Sequence, residues 1–473
     1  MQQVEIQPAA LDRLAEFLSG AQANRLRAAA RSARTILAGR VVWNVNATAH
    51  GGGVAEMLQT LLSYGLGAGV DTRWLVLDGD PDFFTITKRL HNALHGEAGD
   101  GGRLGEDEHS HYQQVLGGNL GAITAQIHPE DIVLLHDPQS AGLADGLRTT
   151  GARVVWRCHI GRDTPNQRTD AGWEFLRRYL RAADAFVFSR QQYPPSWVPR
   201  DRLWIIPPSI DPLSAKNREL APAELRGVLR RTGLLAGTDT TGPLAFTRRD
   251  GSRGAVRPHD DLVIDGAPPP VDARLVVQVS RWDRLKDMTG VLSGFAEHLA
   301  GGGDEVHLML VGPDVAGVAD DPEGAQVLSE CRSARQALPG RVRGRTHLAC
   351  LPMDDGDENA IIVNALQRHA EVVVQKSLVE GFGLTVTEAM WKARPVLASA
   401  VGGIQDQITD GRDGLLLPDP RDLAGFGAAL RRLLDDGELA ARLGAAARMR
   451  VQDERLGDRH LVRYADLLGS LVA

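Results

Sequence analysis

The chain has 473 residues, of which 43% are hydrophobic and 24% charged, and a formal net charge of −7; these are ordinary globular values, and the length suits two domains. The negative balance argues against a nucleic-acid or anionic-membrane partner, and three scattered cysteines, Cys158, Cys331 and Cys350, exclude a disulfide framework or a C-x-x-C metal site. No run reaches membrane-spanning length and the polar start, Met1 to Ala10, carries no signal core, so a cytoplasmic protein is expected. In chain order, Leu11 to Leu37 is a mixed amphipathic, Arg-rich pattern. Apolar and β-branched runs then predict strands near Val41 to Asn46, Arg73 to Asp78, Ile132 to His136, Arg153 to Arg157, Ala185 to Phe188 and Trp204 to Ile206, with helical patterns between most of them. That alternation implies a parallel sheet. Pro207 and Pro208 close this unit, and Leu213 to Thr232 reads as polar helix at the junction. The stretch from about Leu234 to Pro270 is rich in Gly, Pro, Thr and Arg, contains the turn signal Asp250-Gly251, and predicts a protruding hairpin or mobile loop. Alternation resumes with strands near Leu275 to Val279, Val306 to Val311, Val372 to Gln375, Pro395 to Ala398 and Gly414 to Leu417. A last helix, about Arg455 to Leu471, is apolar along Leu461, Tyr464, Leu467 and Leu468. The expected fold class is α/β, as two Rossmann-like units of about 200 residues, divided near residues 212 and 454.

Three segments carry chemistry. EGFGLTVTE, from Glu380 to Glu388, reads as strand, loop and helix, with Gly381 and Gly383 permitting a tight turn and a close backbone approach to a ligand. The helix that follows would offer free amides to an anionic group, with one carboxylate on the loop and the other in the first helical turn. A second reading stands beside it: Thr385 to Glu388 is a T-x-x-E pattern, and Glu388 would then only cap its own helix. SRWDRLK, from Ser280 to Lys286, places Arg281 and Lys286 beyond a strand end, where open parallel sheets bind ligands. A guanidinium fork and an ammonium point charge there suit a diphosphate. A solvated loop carrying two cations fits the same pattern; against it, only five of the 53 Lys and Arg are lysines, which points to a lysine placed here for its own chemistry. The third segment, NVNATAHGGGVAE from Asn44 to Glu56, follows a strand with Gly51, Gly52 and Gly53 and opens a helical pattern, as a phosphate-closing loop or a plain tight turn would.

The pairing of SRWDRLK with E-x7-E resembles the retaining nucleotide-sugar glycosyltransferases of the GT-B fold, in glycosyltransferase family four. Longer stretches are similar to the trehalose glycosyltransferring synthases: NVNATAHGGGVAEML, FFTITKRLHNALHG, LLHDPQ, WRCHIG, PPSIDPLSAKN, EGFGLTVTEAMWK and AVGGIQDQI. The resemblance runs from about residue 40 to the end and departs from the family pattern in the first 35 or so residues and in the 234–270 insertion. It implies two Rossmann-like domains facing across a deep cleft, with the terminal helix crossing back to the first. It further implies transfer of glucose from a nucleoside-diphosphate-glucose to free glucose with retention, no metal or other cofactor, and sugars and a nucleotide sugar as the only ligands. On the matching positions, Glu380, Arg281, Lys286 and His159 are the implied catalytic residues. Gly51, Gly52, Gly53, Gly381, Phe382, Gly383, Leu384, Thr385 and Glu388 are implied to bind the donor, and His136 and Asp137 the acceptor. A homodimer is expected.

Competing readings remain for several of these. His136 and His159 end strands and are expected to point into the cleft, yet a satisfied structural histidine fits the same place. Asp137 reads equally as the cap of the following turn. Asp78, Asp80 and Asp82 give D-x-D spacings that elsewhere hold a divalent metal, but they lie in a Gly/Pro loop, and Trp156, Trp173 and Trp391 read as core. A retaining trehalose phosphorylase would share the fold. A dinucleotide-dependent oxidoreductase would use Asp78 on a ribose, although GGG is not G-x-G-x-x-G.

Overall fold

The computed structural model describes residues 1–49, 53–238, 242–248, 251–298, 306–315 and 323–472. The chain forms two compact units, Met1–Ser209 with Leu456–Ala473, and Ile210–Arg455.

The first unit is built on seven strands: β1 (Gln2–Val4), β2 (Val42–Asn46), β3 (Thr72–Val76), β4 (Ile132–His136), β5 (Arg153–Cys158), β6 (Ala185–Phe188) and β7 (Leu203–Ile205). Their order is β1-β3-β2-β4-β5-β6-β7, parallel throughout except for the antiparallel edge pair β1–β3. Strands buried on both faces read as continuous apolar runs, and alternate residues divide between two cores. Trp43, Val133, Leu135 and Trp156 face Phe83, Tyr112 and Phe175. Val42, Ile132, Leu134 and Val155 face Leu467 and Leu468 of the terminal helix Gly457–Val472. The amphipathic face expected of that helix is therefore what seats it on this sheet. Strand β1 was not expected, because three residues of mixed polarity carry no pattern of their own and are held by register with Trp74 to Val76.

In the second unit the strands are β8 (Ala245–Thr247), β9 (Arg253–Ala255), β10 (Val263–Ile264), β11 (Arg274–Val279), β12 (Val306–Pro313), β13 (Thr346–Leu351), β14 (Val372–Gln375), β15 (Val396–Ser399) and β16 (Leu415–Leu417). Seven of them form a sheet in the order β10-β13-β12-β11-β14-β15-β16, parallel but for β10. Two sequence expectations need correction. Leu213 to Thr232 is not one helix: Asp211 to Asn217 folds into turns on the Asp211 carboxylate and carbonyl, and helix begins only at Pro222, which favours the first helical position. The insertion forms the hairpin β8–β9, with Asp250 outside the described residues, but it is tied down rather than protruding. Strand β10 extends the sheet, Arg248 donates to Asp355 at 2.6 and 2.9 Å, and Arg257 donates to the fully buried Glu358 at 2.6 Å. Among the described residues no helix is long and apolar enough to cross a membrane.

Candidate active site

Strands β11 and β14 are parallel neighbours, so the segments after Val279 and Gln375 leave the same edge of the second sheet. After β11, Asp283 accepts from the Leu285 amide at 2.8 Å and starts a single turn, Arg284–Lys286. Asp287, at φ 48°, redirects the chain into the helix Met288–His298. This turn carries the Lys286 ammonium to 2.7 Å from Glu380 Oε2, which also accepts from Ser377 Oγ at 3.1 Å. Gln278 fastens the two loops together, donating to the Lys286 carbonyl at 2.7 Å and accepting from the Lys376 amide at 3.0 Å. Arg281 lies 3.7 Å from Asp283, with a third of its side chain exposed.

Gly383 is the N-cap of the helix Leu384–Trp391 at φ 84°, and an added Cβ would meet Ile404 at 3.1 Å and Glu380 at 3.3 Å. Glycine is required there twice over, by conformation and by space. The Gly381 carbonyl accepts from Gly403 at 3.2 Å, Phe382 is buried, and Leu384 is the first helical residue. The T-x-x-E capping box does not form: Thr385 is already helical and its hydroxyl donates to Gln375 Oε1 at 2.9 Å. Glu388 consequently stands in the second turn rather than the first, 4% exposed, with Lys216 at 3.7 Å from its Oε1. Lys392 is also buried, donating to Gln367 Oε1 at 2.8 Å, Asn217 Oδ1 at 3.1 Å and the Glu388 carbonyl at 3.2 Å. Burial pushes its ammonium down to about 7, against the opposing pull of Glu388. Lys376 pairs with Asp287. Four of the chain's five lysines thus surround the E-x7-E segment. Sequence reasoning singled out only Lys286, although the scarcity of lysine was the available signal for the other three.

In the first unit, Gly53 opens the helix Gly53–Gly67, whereas Gly51 and Gly52 lie outside the described residues. His136 ends β4 and His159 follows β5. Their rings stack at 5.5 Å and 14°, with Nδ1 of His136 3.2 Å from Nε2 of His159 and Nε2 of His136 3.0 Å from Asn44 Oδ1. Asp137, at φ 62°, accepts from the His159 amide at 2.7 Å; its side chain holds the next strand's end instead of capping its own turn. Burial pushes Asp137 up to about 7, against that amide bond and nearby Arg157. Burial and Arg157 push His136 down to about 3 and His159 well below the ordinary imidazole value. Arg157, not singled out in the sequence, is completely buried beside both rings. Two of the three D-x-D carboxylates are engaged: Asp80 caps the helix Pro81–Leu94 through Phe83 and accepts from His111 at 2.9 Å, and Asp78 pairs with the chain's amino terminus; Asp82 is exposed in the first turn of that helix. Among the described residues no group of three His, Cys, Asp or Glu could hold a metal ion. Trp156, Trp173 and Trp391 are buried core.

Two parallel-sheet units, with cations and a carboxylate gathered at the strand ends of the second, define a glycosyltransferase of the GT-B fold. The family described as "Trehalose synthase, N-terminal domain" matches residues 44–195, and "Glycosyl transferases group 1" matches residues 356–450. The trehalose synthase of Pyrococcus horikoshii is 35% identical over 438 residues, covering 92% of this chain and 91% of that one. The chain belongs to the trehalose synthase family. A trehalose phosphorylase of Pleurotus pulmonarius is 24% identical over 86% of this chain but 54% of its own length. Among solved structures, the trehalose-6-phosphate synthase OtsA is similar at a TM-score of 0.66 and 14% identity, over 92% of this chain and 99% of that one.

Proposed function

We propose that the protein transfers glucose from a nucleoside-diphosphate-glucose to free glucose, making trehalose with retention at the anomeric carbon. The observation that carries this reading is the Lys286–Glu380 pair at 2.7 Å, beside the partly exposed Arg281, at the carboxyl ends of β11 and β14. A diphosphate leaving group gains negative charge as the sugar carbon becomes oxocarbenium-like, and preorganised cations in a desolvated site stabilise that charge selectively. Lys286 and Arg281 supply them, together with the first amides of the helix Leu384–Trp391. Glu380, already oriented by Lys286 and Ser377, accepts from hydroxyls of the transferred sugar, and Glu388 from the ribose. In the first unit His136, Asp137 and His159 serve the acceptor. The acceptor attacks on the face from which the leaving group departs, and a phosphate oxygen takes its proton. The reaction proceeds without a divalent metal, since the fixed cations carry the leaving-group charge; Asp78 and Asp80 of the candidate D-x-D acids are engaged elsewhere.

A proton NMR time course tests this with ADP-, UDP- and GDP-glucose, each with glucose and with or without EDTA, beside trehalose plus orthophosphate. Trehalose should appear with at least one nucleotide sugar and persist under chelation. Turnover with orthophosphate alone would make the chain a phosphorylase, in line with the Pleurotus relative. Loss on chelation, restored by magnesium or manganese, would overturn the metal-free part.

A further inference from the structure

Arg157 is next to last in β5, with no exposed surface, and among the described residues no Asp or Glu forms a salt bridge with it. A buried cation with no acid bonded to it is strongly unfavourable unless its donors are all spent; Asp137, which Arg157 pulls down, is near but accepts none of them. The donors are spent on an unusual set. Nε reaches the His159 ring, 3.1 Å from Nε2 and 3.3 Å from Nδ1. One terminal nitrogen reaches Nε2 of His460 at 3.3 Å and the Tyr464 hydroxyl, and the other the Ile206 carbonyl at 3.1 Å and Met57 Sδ at 3.9 Å. The guanidinium also lies 5.5 Å from the centre of the Tyr464 ring.

We propose that Arg157 is the positioning residue of the acceptor side, fixing His159, and through it His136, as neutral imidazoles in one orientation. The proposal rests on the reading of His159 given above. Its physical basis is that arginine donates and never accepts. A ring nitrogen that receives a bond from Arg157 must keep its lone pair, so neither His159 nor His460 can take a second proton without losing that bond. For His460 the remaining proton then sits on Nδ1, which donates to Ser209 Oγ at 3.1 Å. Asn44 Oδ1 accepts from His136 Nε2 at 3.0 Å, so His136 Nδ1 accepts from His159 Nε2 at 3.2 Å, and the Arg157 Nε proton, within 3.3 Å of both His159 nitrogens, is left to Nδ1. Each link holds one proton, and a second on either ring would set two donors against each other.

The groups facing the pair are Asn44 from β2, Asp137 and Cys158 from the strand ends, and His460, Tyr464 and Arg463 from the terminal helix; of these only Asp137 and the two thiol or phenol groups can become negative. Burial and the charge of Arg157 act in the same direction on His136 and His159, and burial with Arg157 and Arg463 on His460.

Two measurements on the full chain test the proposal. In ring-nitrogen NMR of the native protein, assigned with single His→Gln variants, His136, His159 and His460 should keep neutral-imidazole signals at pH 5.5. In Arg157→Met, His159 or His136 should titrate at a higher pH than in the native protein, with burial still holding it below its ordinary value. The second measurement is kcat/KM at pH 5.5 relative to pH 7.5. That ratio should fall further in Arg157→Met than in the native enzyme, because rings freed from the Arg157 bond and charge are protonated to a greater extent at pH 5.5. Arg157→Lys, which can also only donate, should recover part of the ratio. Titration of native His159 above pH 6, or a native ratio in a folded Arg157→Met, would overturn the proposal. Should Arg157→Met fail to fold by circular dichroism, the native spectrum and Arg157→Lys decide it alone. Neutral rings in a protein that makes no trehalose would leave Arg157's hold on the rings intact and remove the proposed function instead.

Discussion

Lys286 and Glu380 form an ion pair at 2.7 Å, so removing either changes two groups. Arg281→Ala and Lys286→Ala should each lower turnover by about two to three orders of magnitude, the scale for losing one preorganised stabiliser. Lys286→Ala should be the worse of the two, because it also strips Glu380 of the ammonium 2.7 Å away. Lys286→Ala with Glu380→Gln should then be less than additive, as expected for contacting residues. Near-native rates in both single variants at saturating donor would sink the diphosphate assignment. The two acids should also separate. Glu388 does not cap its helix, so a silent Glu388→Gln can no longer be ascribed to glutamine filling a capping box. On the proposed role, the change replaces a charge-assisted bond to the ribose by a neutral one and should weaken nucleoside-diphosphate binding by about 1–2 kcal/mol. Glu380→Gln should depress turnover while leaving nucleotide affinity nearly unchanged. Calorimetric titration beside steady-state rates distinguishes the pair, and two native-like variants would reduce the E-x7-E segment to a structural role.

Among the elements, the parallel strands were legible because burial on both faces writes them as apolar runs, from Val372 to Gln375 or Ile132 to His136. Strand β13 was not legible, since His347 and Cys350 interrupt its apolar residues; the His347 ring is instead accommodated by stacking on His307 at 5.2 Å. The strand, loop and helix around Glu380 were read correctly as elements, but the helix starts earlier than T-x-x-E suggests, at a left-handed glycine. The lysines around it come from distant parts of the chain, and no local pattern joins Lys216 to Glu388. The insertion misled because Gly, Pro and Arg composition reports a loop without reporting what the arginines grip. Arg257 satisfies the fully buried Glu358 through its backbone amide at 2.5 Å and its guanidinium at 2.6 Å. Arg257→Ala should therefore cost about 2–3 kcal/mol, the penalty of a buried charged group left short of partners. Arg257→Lys should cost less, because the backbone bond and one cation remain. Urea unfolding of the three proteins checks this, and equal midpoints would show that the segment is not latched by this pair.

At the scale of the whole molecule, the buried imidazoles of the first unit make stability depend on pH in a definite direction. Burial holds His136 down to about 3, and His159 and His460 well below their ordinary value. Below about pH 6.5 the unfolded chain protonates these rings while the folded unit does not. The unfolded state then binds more protons, and stability falls as pH falls through that window. Asp137 acts oppositely: raised to about 7, it is protonated in the folded unit where the unfolded carboxyl is still charged, so its contribution grows from pH 7 down to about 4. With His109 among the lowered rings and Asp145 and Asp458 among the raised carboxyls, four rings stand against three carboxyls, and the net direction is a loss of stability as pH falls below about 6.5. Because two compact units need not unfold together, the measurement should resolve them. Hydrogen exchange followed by mass spectrometry over residues 132–159 and 457–472 should show the first unit opening more readily at pH 5.5 than at 7.5, after correction for intrinsic exchange rates. Protection that is unchanged or greater at pH 5.5 would mean that these rings are already charged in the folded protein, and the neutral strand-end pair would be lost with them.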